Sequence, residues 1–356
     1  MAKLTITGEE KTIAGLVSGL QSASQPGLMA RLPDFITLMK PRVMMLAVFT
    51  ALVGLAIAPR ELDPLDAFVA VLAIAAGAGA AGVLNMWYDA DIDAIMTRTA
   101  MRPIPHGKVA QLEALVLGLA FATGAVLLLA LATNLVAAAL LGGTILFYTV
   151  VYTAWLKRST RHNIVIGGAA GALPPVIGWA AATGDVGLEP LVLFLIIFLW
   201  TPPHFWALAL NRADDYARAG VPMLPVVSGS AATKRQILIY SAVLLPASAL
   251  PWVLGFAGAV YGATAAICGA ILLLLAFRLG RSRDADRCAP HRLFVFSITY
   301  LFVLFAALLV DHRGSSWSST PASQGARIAA GFVHVDLLSA AVQPDRYSIT
   351  GGASEV

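Results

Sequence analysis

The chain is predicted to be an all-α polytopic membrane protein, a bundle of nine transmembrane helices around a central cavity with its N-terminus in the cytoplasm. Three observations predict this. Of its 356 residues, 58% are hydrophobic and only 12% charged, about half the charged fraction of an ordinary soluble domain. Apolar runs of about 20 residues recur along the whole length, each long enough to cross roughly 30 Å of hydrocarbon as a helix. With the N-terminus inside, twenty of the 24 Lys and Arg fall on the inner side, and only Arg60, Arg313, Arg327 and Arg346 outside; such asymmetry orients a multi-pass chain. The net charge of +4 is modest and sits in short loops, which marks topology and excludes a nucleic-acid surface.

Residues 1–40 read as a polar leader whose end, Ala30 to Lys40, is an interfacial lead-in with no chemistry assigned to it. Its TIAGLVSGL segment has neither a basic start nor a convincing cleavage site, so no cleavable signal peptide is expected. Spans are predicted at about 41–58, 67–88, 112–131, 134–156, 164–182, 189–210, 235–254, 258–279 and 293–311, making an intramembrane domain over 41–311. In the fifth span, the small residues of Ile164 to Gly178 predict close helix contact and Pro174-Pro175 a kink. Cys268 and Cys288 have no metal or disulfide spacing. The tail, 312–356, is rich in Ser, Ala and Gly and is expected to be disordered.

Function is concentrated at Asn85 to Lys108, NMWYDADIDAIMTRTAMRPIPHGK, at the inner end of the second span. At about 100° per residue, Asn85, Asp89 and Asp93 stand on one helical face while Asp91 points elsewhere. Mg²⁺ takes oxygen ligands and binds through one or two carboxylates plus substrate phosphates, which suits this spacing. Arg98, Arg102 and Lys108 would offer positive charge to the same anion. A charge-balanced loop between two helices is the competing reading.

A second acidic motif, Asn211-Arg-Ala-Asp214-Asp215, follows the sixth span. Four spans return the chain to the same side, so the motifs can face each other, and spans one to four and five to eight form a loose repeat. Lys157, Arg158 and Arg161 lie between them, either as phosphate ligands or as positive-inside anchors. His204, in Thr-Pro-Pro-His-Phe-Trp, is an intramembrane histidine and so a functional candidate. On a regular helix it shares a face with Asn211 and Asp215 and looks into the same cavity. His106, His162, His291 and His312 read as solvated, and Asp284 and Asp286 as ion-paired among four arginines.

Together, Asn85-x-x-x-Asp89-x-x-x-Asp93, Arg98-Thr, Arg102-Pro, Lys157-Arg158, NIVIGG from Asn163, PPHFWALA around His204 and DDYARAGVPMLPVV from Asp214 resemble the UbiA-type intramembrane prenyltransferases. The last three stretches resemble the branch of that family acting on haem. The likeness runs from about Pro41 to the ninth span. It implies Mg²⁺-dependent transfer of a farnesyl group from farnesyl diphosphate to a vinyl group of haem B, with water addition, in a bacterial inner membrane with the site facing the cytoplasm. A downstream haem-modifying enzyme is an implied partner. Many relatives carry aspartate at both ends of the second motif. Here Asn211 holds the first position, leaving open whether Asp214 or Asp215 meets a metal.

The roles implied are Asp89, Asp93 and Asp215 as catalytic metal ligands and Arg102 and Lys157 as catalytic cations on the leaving group. Asn85, Arg98, Arg158, Asn211 and Asp214 would bind substrate, and His204 would anchor the haem. Two other readings compete. One keeps the diphosphate site with a quinone-precursor aromatic acid as acceptor. The other is an anion or metal transporter, which would place its ionisable groups near the bilayer midplane and not at inner helix ends.

Overall fold

The computed structural model describes residues 28–314, so the leader up to 27 and the tail from 315 lie outside the described residues. The described residues contain no strand. The helices are α1 (Leu28–Leu38), α2 (Pro41–Ala56), α3 (Pro64–Tyr88), α4 (Ala90–Ile95), α5 (Gln111–Ala132), α6 (Leu135–Ser159), α7 (Asn163–Ala172), α8 (Pro174–Thr183), α9 (Leu188–Leu210), α10 (Ala213–Arg218), α11 (Leu224–Val253), α12 (Ala259–Arg281) and α13 (Cys288–Gly314). Among the described residues, eight spans are long and apolar enough to cross a membrane, with α7 and α8 forming one of them. The pair α1 and α2, bent by 51°, brings the number to nine.

Local chemistry sets the helix ends. Asp63 caps α3, its carboxylate accepting from Leu65 N at 2.9 Å, with Pro64 in the first turn. Asn134 caps α6 through Ala137 N at 2.9 Å and donates to the Ala180 carbonyl at 2.8 Å, tying α6 to α8. Gly184, at φ 75°, ends α8 in the left-handed region that glycine adopts without strain. The fifth span divides at Leu173, because Pro174 and Pro175 lack N–H donors.

One span begins earlier than hydropathy indicates. Helix α11 starts at Leu224 and not near 235, with a non-helical break at Gly229 (φ 80°). Its first turns carry Ser228, Ser230, Thr233 and Lys234, which an apolar-run criterion passes over. Lys234 is held there by the Ser282 carbonyl at 2.9 Å and by Asp284 at 2.7 Å. Asp284 therefore pairs with a lysine and not with the neighbouring arginines, while Asp286 caps α13 through Cys288 N.

Packing relies on small residues, since lipid removes most of the hydrophobic drive between helices. A Cβ on Gly54 would stand 2.1 Å from the Pro175 carbonyl oxygen, and one on Gly178 2.0 Å from that of Ala51. Helices α2 and α8 are thus in backbone contact. Outward faces stay apolar, with Leu131 86% and Leu135 77% exposed, as lipid contact requires.

Candidate active site

The first acidic motif spans the junction of α3 and α4. Helical bonding continues through it, Asp89 N donating to the Asn85 carbonyl at 3.0 Å and Asp93 N to that of Asp89 at 2.8 Å. The spacing of four therefore keeps the three side chains on one face. They are 5%, 0% and 2% exposed for Asn85, Asp89 and Asp93. Asp91 points outward, where Arg158 grips it with two hydrogen bonds and holds its carboxyl below the usual range.

Two carboxylates this deep need compensation, because an unpaired buried charge is costly. Lys157 Nζ meets Asp89 Oδ2 and Arg102 Nη1 meets Asp93 Oδ2, each at 2.5 Å. Lys157 is delivered by a π-helical stretch of α6, Phe147–Leu156. There the Thr153 hydroxyl donates to the Tyr148 carbonyl, five residues back, at 2.8 Å. The same oxygen accepts from Asn85 Nδ2 at 3.0 Å, while Asn85 also donates to Asp89 at 2.8 Å. Interrupted helices of this kind concentrate at functional sites. Across from it, a Cβ on Gly167 would lie 2.2 Å from the Tyr152 ring, so NIVIGG lets that ring lie against α7.

The second motif meets the first through the loop after α4. Thr97 Oγ1 donates to Asp215 Oδ1 at 3.0 Å and accepts from Arg218 Nη2 at 2.9 Å; Arg218 also pairs with Asp215. The Arg98 guanidinium is within electrostatic reach of the Tyr216 phenol. Burial raises that phenol above its ordinary range and the Arg98 charge draws it part of the way back. A cavity of about 570 Å³ opens here, lined by Thr97, Leu208, Arg212, Asp215 and Arg287.

Several expected ligands are held by partners outside the first motif, although Asn211 and Asp214 line the cavity beside Asp215. Asp214 is exposed whereas Asp215 is 7% exposed, and of the two it is Asp215 that contacts the loop after the first motif, through Thr97. Helix α9 ends at Leu210 and the chain turns before α10 begins, so the angular argument does not carry from His204 to Asp215. Asn211 faces α13, exchanging hydrogen bonds with the Arg287 backbone and side chain at 3.1 and 2.9 Å. His204 also faces α13, stacked between Trp200 and Phe294 with Nδ1 2.7 Å from Ser297 Oγ. Arg158 is committed to Asp91 and the Tyr88 carbonyl, reaching Asp89 only at 3.7 Å. Lys108 lies 3.4 Å from Asp34 instead of beside the carboxylates.

One participant carries no sequence signal of its own. Lys40 Nζ donates to Asn85 Oδ1 at 2.5 Å, from the lead-in to which no chemistry was assigned. It is the one non-glycine residue with positive φ among the described residues, at φ 56° and ψ 54°. That conformation, directly before a proline, stores strain on the order of 1–3 kcal/mol. Thr97, Thr153 and Ser297 were likewise illegible, since hydroxyls in or beside apolar helices have no spacing that marks them.

A hard divalent cation would find oxygen ligands here, though not a finished cage. Among the described residues no three His, Cys, Asp or Glu side chains stand together as ligands. Asp89, Asp93 and Asp215 each face their own cation, which neutralises them separately. Asp89 Oδ1, however, is buried without a hydrogen bond, its nearest cation being Arg158 at 3.7 Å, and such a carboxylate oxygen suits a cation whose other ligands come from a phosphate.

Comparison with known proteins shows the family. The model of the UbiA prenyltransferase family matches residues 47–298. A protein of Parvibaculum lavamentivorans named protoheme IX farnesyltransferase is 60% identical over 314 residues, covering 87% of this chain and 96% of that protein. One of the same name from Rhodopseudomonas palustris is 58% identical over 284 residues, covering 79% and 91%. Among solved structures, a digeranylgeranylglyceryl phosphate synthase superposes with a TM-score of 0.66 at 19% identity, over 80% of this chain and 99% of that one. A UbiA homolog from Archaeoglobus fulgidus bound to DMAPP and Mg²⁺ gives 0.60 at 17%, over 77% and 99%. With its two acidic motifs joined at one end of an all-helical, multi-pass fold, the chain belongs to the UbiA prenyltransferase family.

Proposed function

We propose that the chain transfers the farnesyl group of farnesyl diphosphate to a vinyl group of haem B, with addition of water, giving haem O and diphosphate. The observation that carries this reading is its 60% identity, over 96% of the relative's length, to a protoheme IX farnesyltransferase. The charge distribution supports a bacterial inner membrane with the site on the cytoplasmic side.

The buried cations prepare the site for an anion. Lys157 and Arg102 rest on Asp89 and Asp93; as diphosphate enters, they turn to its oxygens and stabilise the charge that grows as the allylic C–O bond breaks. Asp89 and Asp93, with Asp215 on the other side of the loop, would hold Mg²⁺ together with the diphosphate, and the ion would supply Lewis-acid neutralisation of the same leaving group. Asn85 orients the first motif through its bonds to Asp89 and Thr153. Arg98, near the Tyr216 phenol, and Asp215, held by Thr97, close the opposite side. Apolar walls keep bulk water from the farnesyl cation until the vinyl group attacks it. Water then adds to the resulting cation and loses a proton, leaving the hydroxyethylfarnesyl arm. His204, stacked against Trp200 and Phe294, would be the ligand offered to the porphyrin iron.

The test is product mass spectrometry after incubating the purified protein with farnesyl diphosphate, Mg²⁺ and either haem B or an aromatic acid. Haem O that disappears in Asp89→Ala is expected. A prenylated aromatic acid would move the reading to another acceptor, and no diphosphate release with either would remove it.

A further inference from the structure

Lys40 is a described cation that the mechanism above leaves without a task. It sits where α1 and α2 meet at 51°, and its amine is aimed inward at Asn85 Oδ1, 2.5 Å away. Its single hydrogen-bond partner is neutral. Asp89 and Asp93 are within electrostatic reach, but so are Lys157 and Arg102, and those two already hold the carboxylates. Three cations therefore share two carboxylates at one spot. An amine whose role was to mark the inner membrane face would point to water or lipid head groups; this one turns away from both. Its left-handed backbone before Pro41 would suit glycine or asparagine better than lysine, so backbone preference does not account for the lysine.

We infer that Lys40 is a further diphosphate-binding residue, its ammonium donating to the phosphate oxygens held between Asp89, Asp93 and Lys157. An ammonium is a compact point charge with three donors. One of them stays on Asn85, fixing that amide so that its NH₂ faces Asp89 and Thr153, while the other two are available to the anion. The lead-in helix thereby becomes part of the donor site.

This inference rests on the farnesyl diphosphate reading, and two separate measurements distinguish failure of one from failure of the other. Lys40→Gly and Lys40→Asn both remove the ammonium while accepting positive φ, so they can be compared with the full-length wild type in detergent by thermal unfolding. Inorganic diphosphate with Mg²⁺, titrated calorimetrically, reports the site directly. Both variants should unfold no lower than wild type and bind diphosphate about 10- to 100-fold more weakly, as loss of a charged hydrogen bond requires. The KM for farnesyl diphosphate should rise while that for haem B stays put. Variants that fold and bind diphosphate like wild type overturn the inference, as does a wild type that binds none. A wild type that binds diphosphate but makes no haem O sinks the functional reading alone; weaker binding in the variants still supports the role of Lys40.

Discussion

The hydroxyl of Thr97 donates to Asp215 Oδ1 at 3.0 Å across 118 positions of sequence. It ties the second acidic motif to the loop that follows the first, and its oxygen also receives Arg218. Thr97→Val keeps the shape and deletes both bonds, leaving Asp215 to Arg218 and, at 4.0 Å, Arg212. A fall of about tenfold in kcat/KM for farnesyl diphosphate is expected, or about 1.4 kcal/mol. Steady-state kinetics would check it, with Thr97→Ser restoring most of the loss. Equal activity in the valine variant would show that the loop contact has no part in the site.

The Lys157–Asp89 pair predicts opposite outcomes for stability and activity. Lys157→Met strands a fully buried carboxylate, which costs on the order of 3–5 kcal/mol, so its thermal unfolding midpoint should drop sharply. In Asp89→Asn with Lys157→Met the charge is gone, and Asn85 Nδ2 still has an oxygen to donate to. Most of the lost stability should return while turnover stays abolished. A double variant as unstable as the single would mean the pair is not what holds this end of α3 to α6.

The spans were legible because each apolar run is bounded by loops holding nearly all the charge. The first motif was legible because a spacing of four survives the junction at Asp89 intact. Asp215 could not be separated from Asp214 in sequence, since the choice is made by where α10 restarts after Leu210. His204 was expected to look toward the carboxylates, but the same break leaves it facing α13. Lys40 was hidden for a different reason. Its contact with Asn85 spans 45 positions and depends on a bend that neither hydropathy nor periodicity encodes. The π-helical turn that places Thr153 and Lys157 has no pattern in the apolar run Phe147–Leu156 to announce it.

Backbone contact between α2 and α8 should tolerate no added carbon. In Gly178→Ala the new methyl would meet the Ala51 carbonyl oxygen at 2.0 Å, and neither helix can yield without the other. Overpacking of this kind costs about 1–3 kcal/mol or more. Gly171→Ala, in α7 of the same span, meets nothing within 4 Å and serves as the control. Midpoints of thermal unfolding in detergent should fall for the first and hold for the second. A tolerated Gly178→Ala would show that the helices stand further apart than drawn.

The last prediction concerns which nitrogen of His204 is free. Ser297 has one hydroxyl proton, which it donates to the Phe294 carbonyl at 2.7 Å. With the proton so placed, Ser297 can only accept from His204 Nδ1, also at 2.7 Å, an arrangement that assigns the ring proton to Nδ1 and leaves Nε2 its lone pair. Trp200 at 4.3 Å and Phe294 at 4.7 Å stack on the ring, and Trp200 Nε1 bonds the Ser297 carbonyl at 2.7 Å, so a flip is blocked. Nε2 has no hydrogen-bond partner among the described residues. This is the tautomer a metal-ligating histidine needs, with the second nitrogen oriented by a partner. If His204 takes the haem iron, Ser297→Ala should weaken haem B binding by about 10-fold or more and loosen the histidine-ligated absorption and EPR signature. His204→Ala should abolish that signature, and free imidazole should restore it. Spectra identical in all three proteins would place the iron on another ligand.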